Sequence, residues 1–216
     1  MKNQILKLCV LSVLLTGMLN GVKSQTYIYT KVEGEAYEFT ADLSTLPGWI
    51  EGVGPGRFTH TILTNPNNNI LSEWQDLPFT WSFYGQPVNG YYASDNGYIC
   101  FDRGASESIP ANTAIPNPAE PNDAIYAFWD YWYLSSDHGP RTNQVRNLTF
   151  GRAPNRQHMI QWIIVTPYGQ TGGSSNNASF FIVLHEGGGF DIIHQACRKQ
   201  VPMAGTIGVE NHDGSK

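Results

Sequence analysis

Phe128-Trp129-Asp130-Tyr131-Trp132-Tyr133 sets five aromatic rings around one carboxylate. Aromatic rings stack on the apolar faces of sugars or grip peptide side chains, and a neighbouring carboxylate can accept hydrogen bonds from hydroxyl groups. Strand alternation would place Trp129, Tyr131 and Tyr133 on one side. The ligand-binding candidates are therefore Trp129, Asp130, Tyr131, Trp132 and Tyr133. The competing reading makes Phe128 and part of the cluster core, with the rest a belt whose polar tips stay wet.

Other residue patterns stop short of a catalytic or metal site. His185-Glu186 begins like a zinc-protease helix, but Gly189 stands where the second histidine must be, and the segment reads as a hairpin. The six histidines are dispersed; only His185 and His194 flank one hairpin, where they could face each other as cross-strand neighbours. Gly104-Ala105-Ser106-Glu107-Ser108 lacks the second glycine of a nucleophile elbow. Glu120/Asp123 and Glu186/Asp191 pair carboxylates without a neighbour that would raise one pKa. No catalytic residue, no metal ligand and no cofactor is assigned. Calcium is the ion that Asn122, Asp123, Asp130, Asp137, Asn211 and Asp213 could host, although no D-x-D-x-D-G loop is present and turn chemistry accounts for most of them. Asn147-Leu148-Thr149 and Asn177-Ala178-Ser179 are glycosylation sequons, which matter only in a eukaryotic secretory pathway.

Residues 1–24 read as a secretory signal peptide. Lys2 and Lys7 give a positive start, Leu8 to Met18 an apolar run, and Val22 and Ser24 a small-residue cleavage pattern before Gln25. The run is shorter than the roughly 20 apolar residues of a membrane span. Cleavage would remove Lys2, Lys7 and Lys23, leaving 10 basic residues against 18 acidic ones and a net charge of −8. Such a surface repels phosphate backbones, so nucleic acid is not an expected partner. Export also favours a disulfide between Cys100 and Cys197, the two cysteines beyond the leader. It would close a loop of about 97 residues and stabilise by roughly 4 kcal/mol in the chain-entropy model. Two buried free thiols are the alternative.

The rest of the chain must position these groups with strands. Tyr27–Lys31, Ala36–Ala41, the three segments of Leu77–Asp102, Ala124–Trp129, Gln144–Gly151, Gln157–Thr166, Ala178–His185, Phe190–Gln195 and Ala204–Glu210 all read as β. Asn96-Gly97 predicts a type I′ hairpin turn. Four prolines make Asp102–Asp123 irregular. No amphipathic helix follows the leader. The expected fold is all-β, a two-sheet antiparallel sandwich of about ten to twelve strands. A single domain spans 25–216, with N-terminal strands and loops over 25–76 and the core over 77–216.

The order of motifs resembles the nidogen-type (NIDO-like) β-sandwich domain of secreted and cell-surface proteins. Phe79 to Gly85 matches its F-x-F-Y-G segment, with Trp81 and Phe83 in aromatic places, and Ser94 to Phe101 matches S-x-N-G-Y-I-x-F. Ala124 to Asp130, Ile160-Gln161-Trp162, Phe181 to Leu184 with Glu186-Gly187-Gly188, and Thr206 to Asn211 follow in order. The resemblance covers roughly Leu77 to Asn211; the Cys100/Cys197 pair is not expected of that family. It implies an adhesion or matrix-type module and carries over no catalytic residue. Together with export, the all-β pattern and the lack of a catalytic constellation, it leads to the expectation of a secreted, non-enzymatic adhesion or interaction module at the cell surface. The expected partner is an extracellular protein or glycan. A carbohydrate-binding or glycan-active jelly-roll protein using Phe128–Tyr133 is the rival reading.

Overall fold

The computed structural model describes residues 9–13, 29–33, 60–63, 69–119, 121–134, 144–169, 177–198 and 205–216. The strands are β1 (Cys9–Val13), β2 (Tyr29–Glu33), β3 (His60–Leu63), β4 (Gln75–Phe83), β5 (Gln86–Ala93), β6 (Tyr98–Cys100), β7 (Ala124–Trp129), β8 (Trp132–Tyr133), β9 (Gln144–Phe150), β10 (Gln157–Pro167), β11 (Asn177–His185), β12 (Phe190–Arg198) and β13 (Thr206–Glu210). They form two antiparallel sheets. The larger has the order β2-β1-β12-β11-β10-β9-β3, with the two-residue β8 added to the far end of β10. The smaller has the order β13-β7-β6-β5-β4. No helix occurs among the described residues, and the all-β sandwich expected from the sequence is the fold observed.

Period-two alternation explains how the sheets meet. Along β4, Phe79, Trp81 and Phe83 are buried while Thr80 and Ser82 between them are exposed. These rings join Ile99, Phe101, Ile125 and Ala127 of the smaller sheet against Ile160, Trp162, Phe180, Ile182, Leu184 and Phe190 of the larger one. The alternate residues Tyr98, Cys100, Ala124 and Tyr126, with Trp129 beyond a break in the β7–β13 register, form a second apolar layer on the outer face of the smaller sheet. Ile109 and Ile115, from the irregular segment after β6, cover that layer. Strands β6 and β7 are thus buried on both faces.

Several sequence expectations change here. β3 and β8 were not expected as strands. Cys9–Val13 falls inside the expected leader; in the full-length chain it lies between β2 and β12. The expected strand Ala36–Ala41 lies outside the described residues.

The expected Cys100–Cys197 disulfide is not seen: Cys100 is buried and forms no disulfide among the described residues. Its neighbour Ile99 faces the space between the sheets, so Cys100 faces outward, its Sγ 3.4 Å from the Asn122 carbonyl. Cys197 belongs to β12 in the opposite sheet, paired in register with Ala178. A disulfide needs Cα atoms within roughly 7 Å, whereas Cys100 faces away from the sheet that carries Cys197. Cys100 should therefore resist alkylation in the native protein and be alkylated after unfolding without reductant. A Cys100 that stays unreactive in denaturant until reductant is added would contradict this placement.

Candidate functional site

The aromatic cluster is split by the end of β7. Trp129 is 1% exposed, stacked on Tyr126 at 5.0 Å, and its Nε1 donates to the Ile109 carbonyl. Trp132 is fully buried against Phe128 and Phe180, with Nε1 donating to the Phe128 carbonyl at 2.7 Å. Both indoles therefore pack in the interior, which corrects their candidacy as ligand contacts. Tyr and Trp rings tolerate such burial when the polar atom finds a partner, as both do here.

Asp130, Tyr131 and Tyr133 remain partly accessible. The structure adds a residue to this set: Tyr168, 52% exposed. Its ring stacks on Tyr131 with centroids 4.2 Å apart and an interplanar angle of 9°, and meets Tyr133 edge-on at 6.5 Å. The Tyr168 amide donates to the Tyr131 carbonyl, and Thr166 and Pro167 pair with Tyr133 and Trp132 across the β8–β10 ladder. The Asp130 carboxylate accepts from the Tyr131 amide at 2.8 Å. Three tyrosines and one carboxylate thus share one surface.

What holds this surface is the turn from Ser94 to Gly97, whose four residues are all buried or, for glycine, enclosed. Only Gly97 has positive φ, at 88°, so Asn96-Gly97 is not the expected type I′ pair. The reversal is a three-residue loop, Asp95-Asn96-Gly97, closed by the Ser94 amide donating to the Tyr98 carbonyl. The Asn96 carbonyl accepts from the Asp130 amide, and Asn96 Oδ1 accepts from the Trp132 amide at 3.0 Å. The Gly97 carbonyl accepts from the Ala127 and Phe128 amides. Trp162 Nε1 reaches across from the larger sheet to the Ser94 carbonyl at 2.8 Å. One turn therefore fixes the backbone on either side of Tyr131 and ties it to both sheets.

A buried polar network backs that turn. Ser108 Oγ lies 2.5 Å from Ser94 Oγ, donates to Asp95 Oδ1 at 2.9 Å, and accepts from Asn96 Nδ2 at 2.8 Å. The Ile70 amide also donates to Asp95 Oδ1, while Asp95 Oδ2 has no hydrogen-bond partner. Burial pushes the Asp95 carboxyl up to about 7, a rise that its hydrogen-bond donors only reduce. Sequence order alone does not link Ser108 to this turn, since it comes from the proline-containing segment.

The remaining candidates are structural. His185 pairs with Asp191 at 2.8 Å, whereas His194 donates to the Ala127 carbonyl, so the two do not face each other. Glu186 holds Arg156 through two of its guanidinium nitrogens, joining the two hairpin turns. Asn211 and Asp213 accept the Ser215 and Lys216 amides of the terminal turn. His158 is buried between Tyr91 and Thr149, and burial drops its imidazole to about 4. Asn147 Nδ2 donates to the Tyr91 hydroxyl, which lies 2.8 Å from His158 Nε2, and Thr149 Oγ1 lies 2.8 Å from His158 Nδ1.

No helix among the described residues is long and apolar enough to cross a membrane. No curated protein and no solved structure matches the chain. A family model described as NIDO related matches residues 54–216. That match reaches past the Leu77–Asn211 stretch on which the motifs rested, taking in β3 and the approach to β4. With three quarters of the sequence covered and the sandwich in place, the chain belongs to the NIDO-related family.

Proposed function

We propose that this protein is a secreted, non-enzymatic interaction module of adhesion type, presenting Tyr131, Tyr133 and Tyr168 beside Asp130 to an extracellular protein or glycan. The observation that carries the reading is the Tyr131–Tyr168 stack on a backbone pinned by the Ser94–Gly97 turn. A preordered aromatic surface loses little entropy on binding. Membership of a family of extracellular-type modules supports the location. The placement of the perturbed groups supports the non-enzymatic part: Asp95 and His158 are 0% and 3% exposed, sealed from any substrate.

The same stack is the specific feature that favours the glycan arm, because a flat ring with an exposed face suits a pyranose. Tyr168→Ala removes that face without touching the core. Its melting temperature should stay within a few degrees of wild type, while binding on a glycan array or an extracellular-protein panel should fall at least about tenfold. A variant that binds undiminished would remove Tyr168 from the interaction surface. Hydrolysis of an offered glycan, abolished by Asp130→Asn, would replace the module with an enzyme.

A further inference from the structure

On the outer face of the smaller sheet, well apart in sequence from the tyrosine surface, lies a partly open cavity of about 180 Å³. One water needs only roughly 10–15 Å³, so a small organic group can enter. Its floor is Tyr98 and Cys100; Leu71 and Ile109 supply apolar wall, and Asp102 and Glu107 supply the charge. Neither carboxylate is in an ion pair among the described residues. The adjacent cation, Arg103, is turned away: its guanidinium stands 4.0 Å over the Trp74 ring, with Nη2 donating to Asn89. Asp102 spends one oxygen on the Gly104 amide at 2.8 Å, and Ile109 donates its amide to the Tyr98 hydroxyl, fixing the wall to the floor.

We propose that this cavity binds an alkylammonium group, its chain against Leu71 and Ile109 and its charge at Asp102 and Glu107. The lining selects that class. Two uncompensated carboxylates repel anions. A divalent calcium ion takes roughly six to eight oxygens, whereas here the two carboxylates share the lining with the aliphatic carbon of Leu71 and Ile109 and the Cys100 thiol. An ammonium on a short alkyl stem uses both halves, as lysine side chains do when the stem lies on apolar surface and the charge reaches outward. The source is either a free amine or a lysine of a partner protein.

The test uses the full secreted chain, titrated with n-butylamine, N-acetyl-lysine methylamide, butyrate and calcium, and followed by NMR shifts of the Ala105 and Ile109 amides. Saturable shifts with the two amines and none with butyrate are expected. Asp102→Asn keeps an oxygen for the Gly104 amide and removes the charge; combined with Glu107→Gln it should weaken amine binding by at least about tenfold. Ala105→Leu, which fills the cavity while leaving both carboxylates, should weaken it as well. Tighter binding of the lysine derivative identifies a protein lysine as the source; equal or tighter binding of butylamine identifies a free amine. No saturable shift, a response to calcium alone, or amine binding unchanged in both variants overturns the proposal.

Discussion

Gly97→Ala is expected to cost on the order of 3–5 kcal/mol of folding stability, because two separate penalties meet at one atom. At φ 88° an alanine is strained. Its Cβ would also fall on the Phe128 carbonyl group, 2.9 Å from the carbon, with Phe180 Cζ at 3.2 Å on another side. Backbone cannot give way there, since the Gly97 carbonyl itself accepts from the Ala127 and Phe128 amides. Gly85 separates the two penalties. Its φ is 79°, but a Cβ there would meet nothing within 4 Å, so Gly85→Ala should cost only about 1–2 kcal/mol. Urea denaturation of both variants measures the difference; equal midpoints would show that Gly97 is not pressed against β7.

Asp95→Asn should stabilise the protein at pH 8 by about 1–3 kcal/mol and change it far less at pH 4. The folded carboxyl keeps its proton up to about 7, whereas 3.8 is its ordinary value. Between these values the unfolded chain has released a proton that the folded chain retains. The Asp95 contribution is therefore fully present below about 3.8 and lost as pH rises through about 7. The full shift is worth on the order of 4 kcal/mol. Asparagine recovers only part of it, since its amide would inherit the place of Oδ2, which has no partner. His158 runs the other way: with its folded value depressed to about 4 from 6.5, its contribution is present above 6.5 and lost on acidification. The two slopes oppose each other between about 4 and 6.5 in the wild type. Asp95→Asn should leave the His158 slope alone, so stability climbs with pH across that window. A variant whose stability profile parallels wild type from pH 4 to 8 would contradict the buried, protonated Asp95.

The strands were legible where one face is wet and one dry, as along Phe79, Trp81 and Phe83. β7 was legible as a strand but not in its surroundings. The chain after β6 covers its back, all six of its residues are buried, and alternation carries no information about which ring meets water. That is why Trp129 and Trp132 read as ligand contacts. Asn96-Gly97 marked the reversal correctly and its geometry wrongly. The side chains of Ser94, Asp95 and Asn96 are engaged by Ser108, which arrives from a distant irregular segment. Tyr168 was invisible as a partner of Tyr131 for the same reason: the β8–β10 pairing is a long-range contact that local pattern does not encode. For Cys100 and Cys197, the compartment argued for a bond, whereas Cys100 faces away from the sheet that carries Cys197.

Asn96 is the residue through which the buried turn is coupled to the tyrosine surface, and amide hydrogen exchange at Trp132 reads that coupling directly. In the wild type the Trp132 amide, donated to Asn96 Oδ1 at 3.0 Å inside the core, should exchange as slowly as the Ile182 amide in the centre of β11. In Asn96→Ala, exchange at Trp132 and Asp130 should accelerate at least about tenfold relative to Ile182, since both amides lose their anchor or its rigidity. If Trp132 and Ile182 keep the same exchange ratio in the variant as in the wild type, the turn does not hold the tyrosine surface.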